Sequence, residues 1–87
     1  MEIVFFPPID AIMGTSMDLD TGKSATVGEV LQLLQDEVPE FAPFGGFDRG
    51  DTQPRGLLVW RNRILLNLKD RLKADDKIEL IPMVAGG

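Results

Sequence analysis

Apolar and polar positions along the chain alternate in short runs, broken once by a helical period. Met1-Glu2-Ile3-Val4-Phe5-Phe6 is rich in β-branched and aromatic residues and predicts a first strand. Pro7-Pro8 ends it, because two successive residues without a backbone N–H cannot extend a ladder. Gly14 marks a turn. Over 16–21, Met17 and Leu19 alternate with Ser16, Asp18 and Asp20, the period of a half-buried strand, so the first two strands are expected to pair antiparallel around a long connection. The period then changes. Thr26 can cap a helix start while Glu29 reaches back in a capping box, and Val27, Val30, Leu31, Leu34 and Val38 fall on one face. Gln32, Gln35, Asp36 and Glu37 cover much of the rest, and Pro39 stops the helix at about Val38.

The stretch 39–56 carries Pro39, Pro43 and Pro54, four glycines, and Phe41, Phe44 and Phe47 set three apart. It reads as a long loop, which is either pinned to the core edge by its phenylalanines or used to bind a partner. Leu57-Leu58-Val59-Trp60 is a continuous apolar run and predicts a central strand, buried on both faces or at least against the helix. Arg61-Asn62-Arg63 turns it and Ile64-Leu65-Leu66 returns. The polar stretch 67–76 is held down by Leu68 and Leu72, and 77–83 is the last strand, with Ile78 and Leu80 alternating against Lys77 and Glu79. The order strand, strand, helix, strand, short strand, strand implies an α+β fold. It is the order of a β-grasp, a mixed four- to five-stranded sheet wrapped over one main crossing helix, with the first and last strands parallel and central. The domain is expected to occupy 1–83, leaving 84–87 as an exposed tail.

Composition narrows the chemistry. A chain of 87 residues makes one domain that buries only about 60% of its unfolded surface, too little to enclose a deep active site. Cysteine and histidine are both absent. No disulfide, thiolate metal site or histidine acid–base group is available, and no metal site is expected in the mixed-charge stretch 69–77, whose carboxylates have cations beside them. The net charge of −5 disfavours nucleic acid and anionic membranes and favours a basic protein partner. There is no apolar run of membrane-spanning length and no secretory signal, so a cytoplasmic protein is expected.

Val84-Ala85-Gly86-Gly87 ends the chain in a di-glycine carboxylate directly after the last strand. Glycine lacks a Cβ, so such a backbone can enter a narrow channel. Together with Thr26-Val27-Gly28-Glu29-Val30-Leu31, Leu57-Leu58-Val59, Leu72-Lys73-Ala74-Asp75-Asp76-Lys77-Ile78 and Ile81-Pro82-Met83, this ending resembles the sulfur carriers of the MoaD and ThiS type, ubiquitin-like β-grasp proteins. Among them the chain looks nearest to the small subunit of molybdopterin synthase.

The resemblance implies a flexible tail and a carrier that is a substrate rather than an enzyme. Gly87 would carry the acyl-adenylate and then the thiocarboxylate, and Pro82, Met83, Val84, Ala85 and Gly86 would contact the partner's tail channel. It implies no bound cofactor, ATP being used by an E1-like adenylating enzyme. The other partners it implies are a sulfur-accepting synthase subunit and a sulfur donor such as a cysteine desulfurase or rhodanese-type protein. Trp60, Arg61, Arg63, Ile81, Phe44 and Phe47 are the candidate docking residues, aromatic, aliphatic and arginine groups of the kind that dominate interfaces. Two features depart from the expected pattern, Met83 in place of the second proline of molybdopterin-type members and Asn62-Arg63 in place of Asn-Gly, whereas the long phenylalanine-rich loop fits molybdopterin-type or ubiquitin-related-modifier members better than the compact thiamin type. Acceptors in thiamin, cysteine, tRNA-thiolation or other sulfur-metabolite pathways therefore stay open. So do a protein modifier that forms isopeptides and an interaction module with an idle tail.

Overall fold

In the computed structural model, which describes residues 1–21 and 24–83, the apolar alternation of the strands becomes two distinct faces of one sheet. The strands are β1 (Glu2–Phe5), β2 (Ser16–Asp18), β4 (Leu57–Arg61), β5 (Ile64–Leu66) and β7 (Lys77–Pro82), in the spatial order β2-β1-β7-β4-β5. β1 and β7 run parallel, with Ile3 opposite Ile78 and Phe5 opposite Leu80; every other neighbour is antiparallel. The central strand is β7, not β4. The apolar run of β4 is buried only at Leu57 and Val59, and Leu58 and Trp60 are half-buried on the opposite face.

Helix α2 (Val27–Glu37) lies on the covered face and supplies Val27, Val30, Leu31 and Leu34 to a core shared with Ile3, Phe5, Leu57, Val59, Leu66, Ile78 and Leu80. The capping box forms as its sequence predicts: Glu29 N–H donates to Thr26 Oγ1 (3.1 Å) and Thr26 N–H donates to Glu29 Oε1 (2.8 Å). Val27 and Gly28 N–H donate to the carbonyls of Asp70 and Leu68 (both 3.0 Å), so these first amides of the helix are satisfied by the 68–70 turn. The approach is close at Gly28, where a Cβ would stand 3.3 Å from the Phe47 ring and 3.4 Å from the Leu68 carbonyl.

Three regions, holding five short elements, have no periodic signal in the sequence. Helix α1 (Asp10–Met13) fills the connection between β1 and β2, with Ile9 fully buried before it. Strands β3 (Ala25–Thr26) and β6 (Arg71–Leu72) form a separate two-stranded ladder, which seats Leu72 in the core. The stretch 39–56 is folded in part: a 3₁₀ turn (Pro39–Phe41) leads into helix α3 (Ala42–Gly45), Phe41 is fully buried, and Gln35 Nε2 donates to the Gly45 carbonyl (3.1 Å).

The prolines define where the parallel ladder stops. In the register of β1 with β7, Phe6 N–H donates to the Leu80 carbonyl (3.1 Å). The next two bonds would need N–H groups on Pro82 and Pro8, and neither has one. The Phe6 carbonyl, which Pro82 would otherwise have met, accepts from Ile9 N–H (2.9 Å).

Candidate functional site: the open sheet face and the root of the C-terminal chain

Side chains of odd and even positions separate cleanly across the sheet. On the face away from α2, one row crosses all five strands as Ser16, Val4, Glu79, Trp60 and Leu65, each opposite the next in the ladder. Towards the start of β7 the neighbouring row is charged, with Asp18 opposite Glu2 and Glu2 opposite Lys77. Towards its end the neighbouring row is apolar, with Leu58 opposite Ile81. Leu65 in the middle row and Met83 beyond Ile81 are 43% and 45% exposed, so the face offers apolar surface to solvent. The apolar half of the open face is thus the half from which the chain runs on to Val84-Ala85-Gly86-Gly87.

The structure brings some of the predicted docking residues together and separates others. Trp60 and Ile81 share the open face, half-buried, and Arg63 is exposed at the tip of the adjoining hairpin. Asn62 and Arg63 both have left-handed backbones (φ 53° and 65°), the geometry of a two-residue type I′ turn whose twist matches its strands. Arg61 points elsewhere. Its Nη1 donates to the Arg71 carbonyl and to Asp76 Oδ2, each at 2.9 Å, so the guanidinium braces the fold rather than an interface. Asp76 Oδ2 also accepts from Lys73 N–H (2.7 Å). That backbone bond first, and the Arg61 guanidinium second, hold the Asp76 carboxyl below the usual carboxylate range.

Phe44 and Phe47 are half-buried and pack against the core, Phe47 beside Gly28 and away from Trp60. Pro82 is buried as the last residue of β7, opposite Leu57, and belongs to the sheet; Met83 is the first exposed residue after it. Val84, Ala85, Gly86 and Gly87 lie outside the described residues, so their predicted roles are not addressed by the geometry. Sequence reading missed Leu58, Leu65, Val4 and Glu79 as open-face residues. Counting by twos from Trp60 and Ile81 would have found Leu58 and Glu79, since period-two parity fixes which side chains share a face. Among the described residues, no group of three or more acidic side chains could hold a metal ion, and no helix is long and apolar enough to cross a membrane.

Comparison with known proteins adds the family. The sequence pattern of the ThiS family matches residues 3–87. The chain belongs to the ThiS family. Among solved structures it is similar to SAMP1 from Haloferax volcanii, at 28% identity and TM-score 0.78, covering 100% of this chain and 98% of that one. It is also similar to the Haloferax volcanii HVO 2177 protein, at 27% identity and TM-score 0.70, covering 99% and 84%. A Pyrococcus furiosus protein described as molybdopterin converting factor subunit 1 shares the fold, at 17% identity and TM-score 0.66, covering 95% of both chains. No curated protein matches the chain. The fold is therefore a ubiquitin-like β-grasp, and the chain is a small protein of the sulfur-carrier or ubiquitin-like modifier type. Proteins of this type are in general substrates or subunits of enzymes, partnered by an E1-like activating enzyme and a synthase subunit.

Proposed function

We propose that the protein is a cytoplasmic sulfur carrier whose Gly87 carboxylate is adenylated and then converted to a thiocarboxylate for cofactor biosynthesis, with molybdopterin synthesis as the first candidate pathway. The observation that carries this reading is the placement of the apolar half of the open face at the end of β7 that leads into the di-glycine terminus. A partner that docks on Trp60, Leu58 and Ile81 stands where it can receive the tail. Val84-Ala85-Gly86-Gly87, at about 3.3–3.6 Å per extended residue, reaches roughly 13–14 Å beyond the root.

The chemistry assigns roles to both proteins. A carboxylate is a poor electrophile; attack of its oxygen on the α-phosphorus of ATP expels pyrophosphate and creates a mixed anhydride. A sulfide-level nucleophile then adds to the acyl carbon and AMP leaves. The chain has no cysteine, so sulfur is carried on the terminal carbon alone. The nucleotide, and any metal it needs, belong to the activating partner. The length of the partly folded 39–56 segment suits molybdopterin-type or ubiquitin-related-modifier members better than compact thiamin-type ones.

Intact-mass analysis of the protein co-expressed with its activating enzyme and a sulfur source tests this. Exchange of one terminal oxygen for sulfur is expected, and deletion of Gly87 should abolish it while leaving the circular-dichroism spectrum unchanged. Carboxylate alone, with a competent activator, would refute the reading. A Gly-Gly remnant on lysines of other proteins would instead assign the same acyl-adenylate to isopeptide formation.

A further inference from the structure

The peptide unit of Gly56 joins the 39–56 segment to the point where the chain leaves the sheet. Its N–H donates to the Phe44 carbonyl (2.9 Å), and its own carbonyl accepts from Met83 N–H (3.0 Å). One residue earlier, Arg55 N–H donates to the Gly46 carbonyl (2.8 Å), so the segment closes on β4 through a two-bond bracket. On its other side β7 has no comparable tie, because the parallel ladder with β1 ends at the Phe6 to Leu80 bond and Pro8 and Pro82 have no donors to continue it. Met83 is exposed, and among the described residues its backbone tie to the sheet is this bond to Gly56.

The position admits only glycine. A Cβ on Gly56 would lie 2.5 Å from the Pro43 carbonyl oxygen and 2.8 Å from Phe44 Cα, both backbone atoms that cannot rotate away. The close approach serves the bracket, and through it Met83.

We propose that Gly56 is a positioning residue for acyl activation, fixing the root from which residues 84–87 set out towards the activating enzyme's nucleotide. The inference rests on the carrier reading above. Adenylation forms a bond between a Gly87 carboxylate oxygen and the α-phosphorus of ATP as the bond to pyrophosphate breaks, and in-line reactions of this kind are sensitive to misplacement of the reacting atoms. With the tie intact, Met83 is already in place when the partner takes up the chain beyond it. Without it Met83 must be ordered as well, and freezing one more backbone corresponds to roughly five- to thirty-fold in rate. Docking by Trp60 and Ile81 does not depend on the tie, so the loss falls on turnover and not on recognition.

The test measures ATP–pyrophosphate exchange by the E1-like enzyme with the full chain as carrier, alongside amide hydrogen exchange of the free carrier by NMR. In the wild type, Met83 N–H is expected to exchange slowly; exchange at the rate of an unprotected amide would overturn the proposal before any variant is made. Gly56→Ala should release Met83 N–H, leave the Val59 and Leu80 amides protected, lower kcat about ten-fold and change KM less than two-fold. Gly46→Ala, whose added Cβ would meet the Ala42 carbonyl at 2.7 Å, strains the bracket from its far side and should lower kcat in proportion to the protection lost at Met83. A variant that frees Met83 N–H without lowering kcat sinks the proposal, as does one that raises KM alone. If the wild-type chain supports no exchange at all while its Met83 amide is protected, it is the carrier reading that fails.

Discussion

The two faces of the β4–β7 pair are both apolar, yet they meet different surroundings. Leu57, Val59, Ile78, Leu80 and Pro82 are buried under α2, whereas Leu58, Trp60 and Ile81 on the reverse are only half-buried. A one-sided antiparallel sheet normally alternates apolar-in with polar-out. Here the outward positions near the end of β7 keep apolar side chains, and the outward positions near its start do not, since Lys77 stands opposite Glu2. Folding alone requires one apolar face. On the second, Leu58 and Ile81 lie where the chain runs on to Met83 and Trp60 lies beside them opposite Glu79, and this is the surface that the proposed docking would use.

Neighbouring residues on opposite faces give the sharpest way to break that comparison. Leu80→Ala should cost about 2–5 kcal/mol of stability in urea denaturation, the range for a buried leucine that leaves a cavity. Ile81→Ala, one residue on, should cost about 1 kcal/mol or less; equal losses would mean that the two faces are both core. Trp60→Ala should weaken binding to the activating enzyme by about 2 kcal/mol, near thirty-fold, with the far-ultraviolet spectrum unchanged. An unchanged Kd by calorimetry would remove the open face from recognition.

Asp76 sharpens the distinction between bracing and docking charges. Its carboxyl is held below its unfolded value of about 3.9, so its contribution is present above that pH and is lost as pH falls through the lowered folded value. Asp76→Asn should lose about 1–3 kcal/mol at neutral pH, and its deficit against wild type should shrink as pH is lowered towards 3. A deficit that does not change with pH would show that the carboxylate charge is irrelevant. Thr26→Ala should cost about 1 kcal/mol through loss of the helix cap, measured by thermal unfolding. The smallest effect is expected from Arg63→Gly, which relieves a left-handed non-glycine backbone and should stabilise by up to about 1 kcal/mol; a lower Tm would imply that the Arg63 side chain is itself a contact.

Local signals were legible in the sequence, and signals that depend on distant partners were not. The capping box at Thr26 and Glu29, the stop at Pro39 and the pinning by Leu68 and Leu72 follow from periods and turn chemistry within a few residues, whereas the parallel pairing of first and last strands was legible only through the β-grasp order of elements. The β3–β6 ladder is two residues long on each side, too short to carry a period, and exists because Ala25 meets Leu72 across the fold. The central place of the last strand, β7, was expected from the order of elements, although its own alternation would also suit an exposed strand. At the site, Trp60 and Ile81 were readable as a pair on adjoining strands. Arg61 was not, because the carboxylate that engages it is supplied by Asp76 from beyond the β4–β5 hairpin.

The parallel ladder that joins Glu2 to Lys77 also fixes when the molecule can mature. β1 is synthesised well before β7 and must wait for all the intervening chain before its inner neighbour exists, and contacts so distant along the chain form slowly. A truncated product that lacks β7 has neither the centre of the sheet nor Ile81, and under the proposed docking it would offer a partner no open face to read.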